Sequence, residues 1–135
     1  MTDPTIVMFM CRNARTALSG PEGTEAVPPD VRVIEVPCSG RVDEVMMLKA
    51  LRNGAWAVMV VACLDGNCKN STGNYQARRR VDEARSLLAQ LGVDAGRIRM
   101  YSVASNQHAM LMAAVGEMQA FARERGPIKI LEGDR

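Results

Sequence analysis

Ala57-Val58-Met59-Val60-Val61-Ala62 is an almost unbroken apolar run. A strand wet on one side alternates apolar and polar residues, so a run with no polar position reads as a strand covered on both faces, the central place in a parallel sheet. Three shorter runs of similar character lie to either side of it: Ile6–Met10, Val31–Val36 and Ile98–Val103. Helical periodicity fills the intervals. Arg41 to Asn53 carries Val42, Val45, Met46 and Leu48 and stops at Gly54, with Ser39 as the expected N-cap. Asn74 to Leu91 spaces Ala77, Val81, Ala84, Leu88 and Leu91 by three or four residues and closes at Gly92. His108 to Arg125 repeats the pattern with Leu111, Ala114, Val115, Met118, Phe121 and Ala122 before Gly126-Pro127. In the first connection, Arg12 to Leu18 reads as a brief helix, and Gly20-Pro21, Gly23 and Pro28-Pro29 make the rest a loop.

Strands alternating with helices argue for an α/β chain: a single-domain open parallel sheet of four strands, flavodoxin-like order 2-1-3-4, flanked by helices. The domain is expected over residues 1–126, with residues 127–135 as a C-terminal tail. A chain of 135 residues with 47% hydrophobic and 24% charged residues suits one such domain. It buries enough surface to need no disulfide staples. A net charge of +2 and 4% aromatic residues argue against nucleic acid as partner. The longest apolar run, Ala55 to Leu64, falls well short of the roughly 20 residues of a membrane span. Met1-Thr2-Asp3-Pro4 does not open like a secretory signal. A cytoplasmic protein with reduced thiols, and no direct membrane insertion, is the expectation.

The four cysteines, Cys11, Cys38, Cys63 and Cys68, contain no C-x-x-C knuckle, so their spacing says little. Their placement says more. Cys11, Cys38 and Cys63 follow the first three predicted strands, and Cys68 lies in the loop leaving the third. In a parallel sheet of order 2-1-3 these carboxyl ends share one edge, beside the switch point where open α/β sheets take ligands. Four thiols there match what an iron–sulfur cluster requires. Nearby Arg12, Arg15 and Arg41 would offset the charge of an anionic cluster, or else are solvated surface groups. Individually buried thiols, a zinc site and a disulfide-switched regulator are the other readings of the same residues.

Two segments carry a family likeness: Pro37-Cys38-Ser39-Gly40-Arg41-Val42-Asp43, and Ala62-Cys63-Leu64-Asp65-Gly66-Asn67-Cys68 continuing to Gly73-Asn74-Tyr75-Gln76-Ala77-Arg78-Arg79-Arg80-Val81. They resemble the delta subunit of methyl-viologen-reducing hydrogenase, a family of small iron–sulfur proteins, and the likeness runs from Ile6 to about Gly126. The resemblance implies one [2Fe–2S] cluster, with Cys11, Cys38, Cys63 and Cys68 as the matching ligands. It also implies single-electron relay between a hydrogenase or other dehydrogenase and the flavoprotein subunit of a heterodisulfide-reductase-like complex, without catalysis by the chain itself. A cluster-less structural adaptor of such a complex is the alternative within the family. Two positions depart from the family pattern. Ala14 stands where a second cysteine usually follows the first strand, and Asn67-Cys68-Lys69-Asn70 replaces an acidic-Cys-His stretch. A more positive loop is expected to raise the reduction potential.

The remaining chemistry-bearing residues have plainer readings. His108, the one histidine, opens a helix and is expected as a cap or surface group. Met8, Met10, Met59 and Met100 read as core filler, and Trp56 as packing. The Arg78-Arg79-Arg80 run reads as a solvated face.

Overall fold

A computed structural model describes residues 6–20, 23–63, 73–104 and 106–128. Strands β1 (Ile6–Cys11), β2 (Val31–Val36), β3 (Ala57–Cys63) and β4 (Ile98–Val103) alternate with helices α1 (Glu44–Arg52), α2 (Gly73–Gln90) and α3 (His108–Arg125). Three 3-10 segments join them: Arg12–Leu18, Ser39–Arg41 and Ala95–Arg97. All strand pairs are parallel, and the order is β2-β1-β3-β4. The α/β architecture and the strand order are those expected from the sequence.

Why β1 and β3 are apolar throughout is now visible. Every residue of both is buried, because they are the two central strands and helices cover both faces. Edge strands β2 and β4 are buried only at their ends. On one face Ile6, Met8, Met10, Met59 and Val61 pack against Leu111, Val115 and Met118 of α3 and against Ala14, Ala17 and Leu18 of the first 3-10 segment. On the other, Val7, Phe9, Val58 and Val60 meet Met47 and Leu51 of α1 and Val81, Ala84 and Leu88 of α2. Met8, Met10 and Met59 are fully buried, whereas Met100 is half-buried.

The sequence misplaces three details. Helix α1 starts at Glu44, because the Asp43 carboxylate accepts from Met46 N at 2.9 Å and so caps the helix. Ser39, the expected cap, instead opens the 3-10 turn before it. The buried positions of α1 are accordingly Met47 and Leu51, while Val45 is 70% exposed. Leu91 lies just past α2 and is 49% exposed rather than part of the buried stripe.

Beyond α3, Gly126 takes φ 73° and its N–H reaches Ala122 O at 2.8 Å, a left-handed stop. Packing continues past that stop, for Ile128 is buried with the α1–α2 layer. A buried arginine fixes this end: Arg97 Nη1 donates to Trp56 O at 2.9 Å and to Gly126 O at 2.7 Å.

Candidate metal centre

Parallel strands bring all their carboxyl ends to one edge, and three of the four cysteines lie there. Cys11 is the last residue of β1 and Cys63 the last of β3, its direct neighbour in the sheet. Met10 pairs with Val61, so Cys11 lies level with Ala62 and Cys63 stands one residue further on. That offset between adjacent strands puts the two Cα atoms about 6 Å apart. Cys38 comes two residues after Val36, the residue paired with Cys11. Its extended backbone caps the Ser39–Arg41 turn, and its carbonyl accepts from Arg41 N at 2.9 Å. The turn packs on β1, β3 and α2, so the chain bends over the central strand ends rather than away from them. Cys11 and Cys63 are buried, at 1% and 2% exposure, and Cys38 is half-buried. Cys68, with Asn67 and Lys69, lies outside the described residues.

Position 14 belongs to the same corner. Ala14 is fully buried in the first 3-10 segment, three residues after Cys11. Cys11 and Ala14 lie in the same buried cluster, so the start of that segment carries the Cys11 corner into the core.

The arginines beside the cysteines have partners of their own. Arg15 grips both carboxylate oxygens of Glu25, at 2.9 and 3.1 Å, and reaches Glu35 at 3.4 Å. Arg12 contacts the other oxygen of Glu35 at 3.3 Å. Hydrogen bonding with Glu25 holds the Arg15 pKa above its usual value, and the same bond pulls Glu25 below the usual carboxylate range. These pairs are exposed and individually worth under about 1 kcal/mol. Their effect is to tie the segment after Cys11 to the outer strand and its loop, while Arg41 keeps an exposed position beside Cys38.

The residue that sequence reasoning missed is Arg80. Its neighbours Arg78 and Arg79 are exposed, as expected of a solvated run, but Arg80 is half-buried and donates to Gly40 O at 2.8 Å. It thereby pins the turn that follows Cys38 onto α2. A signal was present: Arg80 lies three residues after buried Ala77 and four before buried Ala84, at the flank of the stripe facing the core. Further along α2, Glu83 meets Glu44 of α1. The hydrogen bond between the two carboxyls raises Glu83, whereas a backbone hydrogen bond leads in lowering Glu44. His108 caps nothing. Its Nδ1 lies 2.8 Å from Ala17 O and joins the start of α3 to the first 3-10 segment.

The donor set is one that thiophilic metals take, soft thiolate sulfur with no competing carboxylate ligand required. Burial of two of the three sulfurs at the sheet edge suits a group shielded from water. Among the described residues, no three of His, Cys, Asp or Glu stand close enough to share one metal ion. Cys11, Cys38 and Cys63 therefore share an edge without themselves forming a coordination shell. In chemistry and in edge, Cys11, Cys38 and Cys63 fit an iron–sulfur group.

Residues 6–126 match the family described as methyl-viologen-reducing hydrogenase, delta subunit. The chain is 36% identical over 128 residues to the vhu iron-sulfur subunit of the F420-non-reducing hydrogenase of Methanopyrus kandleri, covering 93% of this chain and 97% of that protein. Its counterpart in Methanocaldococcus jannaschii is 36% identical over 127 residues, covering 93% and 95%. Similarity also extends to one of the subunits of a CoB-CoM heterodisulfide reductase of Methanosarcina acetivorans, 30% identical over 127 residues. There 93% of this chain matches only 16% of the relative, so a region like this chain forms part of a much longer polypeptide. Family match, near full-length relatives and the cysteine-bearing sheet edge agree, and the chain belongs to the methyl-viologen-reducing hydrogenase delta subunit family.

Proposed function

We propose that the chain is a non-catalytic electron-transfer subunit that carries one [2Fe–2S] cluster on Cys11, Cys38, Cys63 and Cys68. It would relay single electrons between a hydrogenase or other dehydrogenase and the flavoprotein subunit of a heterodisulfide-reductase-type complex. The observation that carries this reading is the arrival of three cysteines, distant in sequence, at the carboxyl ends of three adjacent strands. Among the relatives, iron–sulfur subunits of hydrogenases and a polypeptide of heterodisulfide reductase support the electron-transfer role. When bound, the cluster supplies one-electron storage at a potential set by its ligands, nearby hydrogen bonds and exposure.

The chain's own part is to hold and shield. Cys11 and Cys63 end rigid, fully buried strands and leave little room for movement. Cys38 sits on a turn and depends on Arg80 to fix it. Its half exposure makes it the described thiol nearest to solvent, and so the side from which a partner's redox centre approaches. A buried Ala14 leaves four cysteines, the number one such cluster takes.

Anaerobic purification with iron, acid-labile sulfide and zinc analysis, together with EPR of the reduced protein, tests the reading. About two irons per chain and a rhombic low-temperature signal are expected. Cys63→Ser and Cys68→Ser should each bleach the visible absorbance. Zinc in place of iron would mean a different metal site, and thiols that titrate with no metal bound would mean an adaptor or a thiol switch.

A further inference from the structure

Helix α1 packs alongside the C-terminal half of α2, with Met47 and Leu51 in one buried cluster with Val81, Ala84 and Leu88. Between the outward faces of the two helices lies a groove of about 530 Å³. Val45, Leu48, Leu88 and Leu91 form its apolar lining. Lys49 and Arg52, three residues apart in α1, supply its charge, and among the described residues no carboxylate lines it. Val45 is 70% and Leu91 49% exposed, two of the six large apolar side chains that are exposed among the described residues. The chain holds 17 basic and 15 acidic residues, so a groove with cations alone is a local departure from a nearly balanced surface.

We propose that this groove docks an amphipathic, acidic helix of the partner protein, and thereby seats the chain in its complex. Helices lie in apolar grooves through residues spaced by three, four and seven. The cations on α1 ask for two carboxylates on the incoming helix at the same three- or four-residue spacing, since residues so placed share a helix face. The groove begins at Val45, in the first turn of α1, which five residues of turn and caps separate from Cys38, and runs to Arg52, Asn53 and Leu91 toward the amino ends of the strands. A helix seated there would point one end toward the exposed side of the cysteine edge. This inference rests on the partner class proposed above.

The test uses the full chain, tagged and expressed anaerobically in its host, with co-purifying proteins identified by mass spectrometry. The wild-type chain is expected to retain the flavoprotein of the host's heterodisulfide-reductase-type complex. Lys49→Glu with Arg52→Glu, and separately Val45→Asp with Leu91→Asp, should each lower that retention roughly tenfold or more. Glu124→Lys on the far helix α3 should leave it intact, and circular dichroism should show all variants folded. Groove variants that keep the flavoprotein as well as the wild type does overturn the inference while leaving the electron-transfer reading untouched. A wild-type chain that retains no such flavoprotein removes both. A purified chain that is dimeric alone, and monomeric with the groove substituted, would assign the groove to a second copy and overturn the inference.

Discussion

Arg80 reaches from α2 to the Gly40 carbonyl at 2.8 Å, and what it holds is the one described cysteine that does not end a strand. A hydrogen bond from a charged donor is worth about 1.5–3 kcal/mol when made, enough to keep a short turn in one place. Arg80→Gln should therefore raise the alkylation rate of the Cys38 thiol in the metal-depleted protein, read by mass spectrometry, with Cys11 and Cys63 unchanged as internal controls. In the loaded protein, iron should pass to a chelator about tenfold faster, the usual cost of losing a group that orients a ligand. Equal rates at Cys38 in both proteins would remove Arg80 from that role. Lys69 supports a prediction drawn from the sequence alone. A cation next to Cys68 favours the more negative reduced state, so Lys69→Ala should lower the potential measured by protein film voltammetry, and an unchanged or higher value contradicts it.

Helices α1 and α2 pack through a shared apolar cluster, beside which the carboxyls of Glu44 and Glu83 shift in opposite directions. Glu83 is raised, so its share of stability is present below the usual carboxylate range and is lost as pH climbs through its folded value. Glu44 is lowered, so its share is present above that range and is lost as pH falls through its folded value. Once both are ionised, they repel. Glu83→Gln keeps a donor facing Glu44 at every pH, so the variant should melt above wild type at pH 7 and level with it near pH 4. A lower Tm at pH 7 would show that the exposed Arg79–Glu83 pair, 3.6 Å apart, outweighs the repulsion. Elements such as these were partly legible in the sequence. Four strands and three helices could be read because burial on both faces leaves continuous runs, and burial on one face leaves three- and four-residue spacing. The start of α1 could not, since Ser39 and Asp43 both suit a cap and only the packing of the turn decides between them. Cysteine positions at the sheet edge followed from strand order. The different fates of Arg12, Arg15 and Arg80 did not, because each depends on a partner 10 to 40 residues away.

Across the whole molecule, chemistry and anchoring occupy opposite ends of the sheet. Cys11, Cys38 and Cys63 lie at the carboxyl ends of the strands, while Arg97 precedes β4 and Trp56 precedes β3, both at the amino ends. There Arg97, 6% exposed, gathers the carbonyls of Trp56, Arg125 and Gly126 at 2.9, 3.4 and 2.7 Å. Burial lowers its pKa, yet an arginine stays cationic at any working pH, and several carbonyl dipoles compensate the charge. These bonds stitch the sheet to the end of α3 and to the segment that buries Ile128. Arg97→Met would keep much of the side-chain volume but leave buried carbonyls without donors, a loss of about 2 kcal/mol or more. For a domain of this length that corresponds to a fall in Tm of roughly 6–10 °C. Because none of these contacts touches the cysteine edge, the variant, kept cold, should hold as much iron per chain as wild type with an unchanged visible spectrum. Arg80→Gln should do the reverse, losing iron readily with a smaller change in Tm. If Arg97→Met also lost its iron while still folded, the two ends would be coupled through the sheet, and the division of labour between them would be wrong.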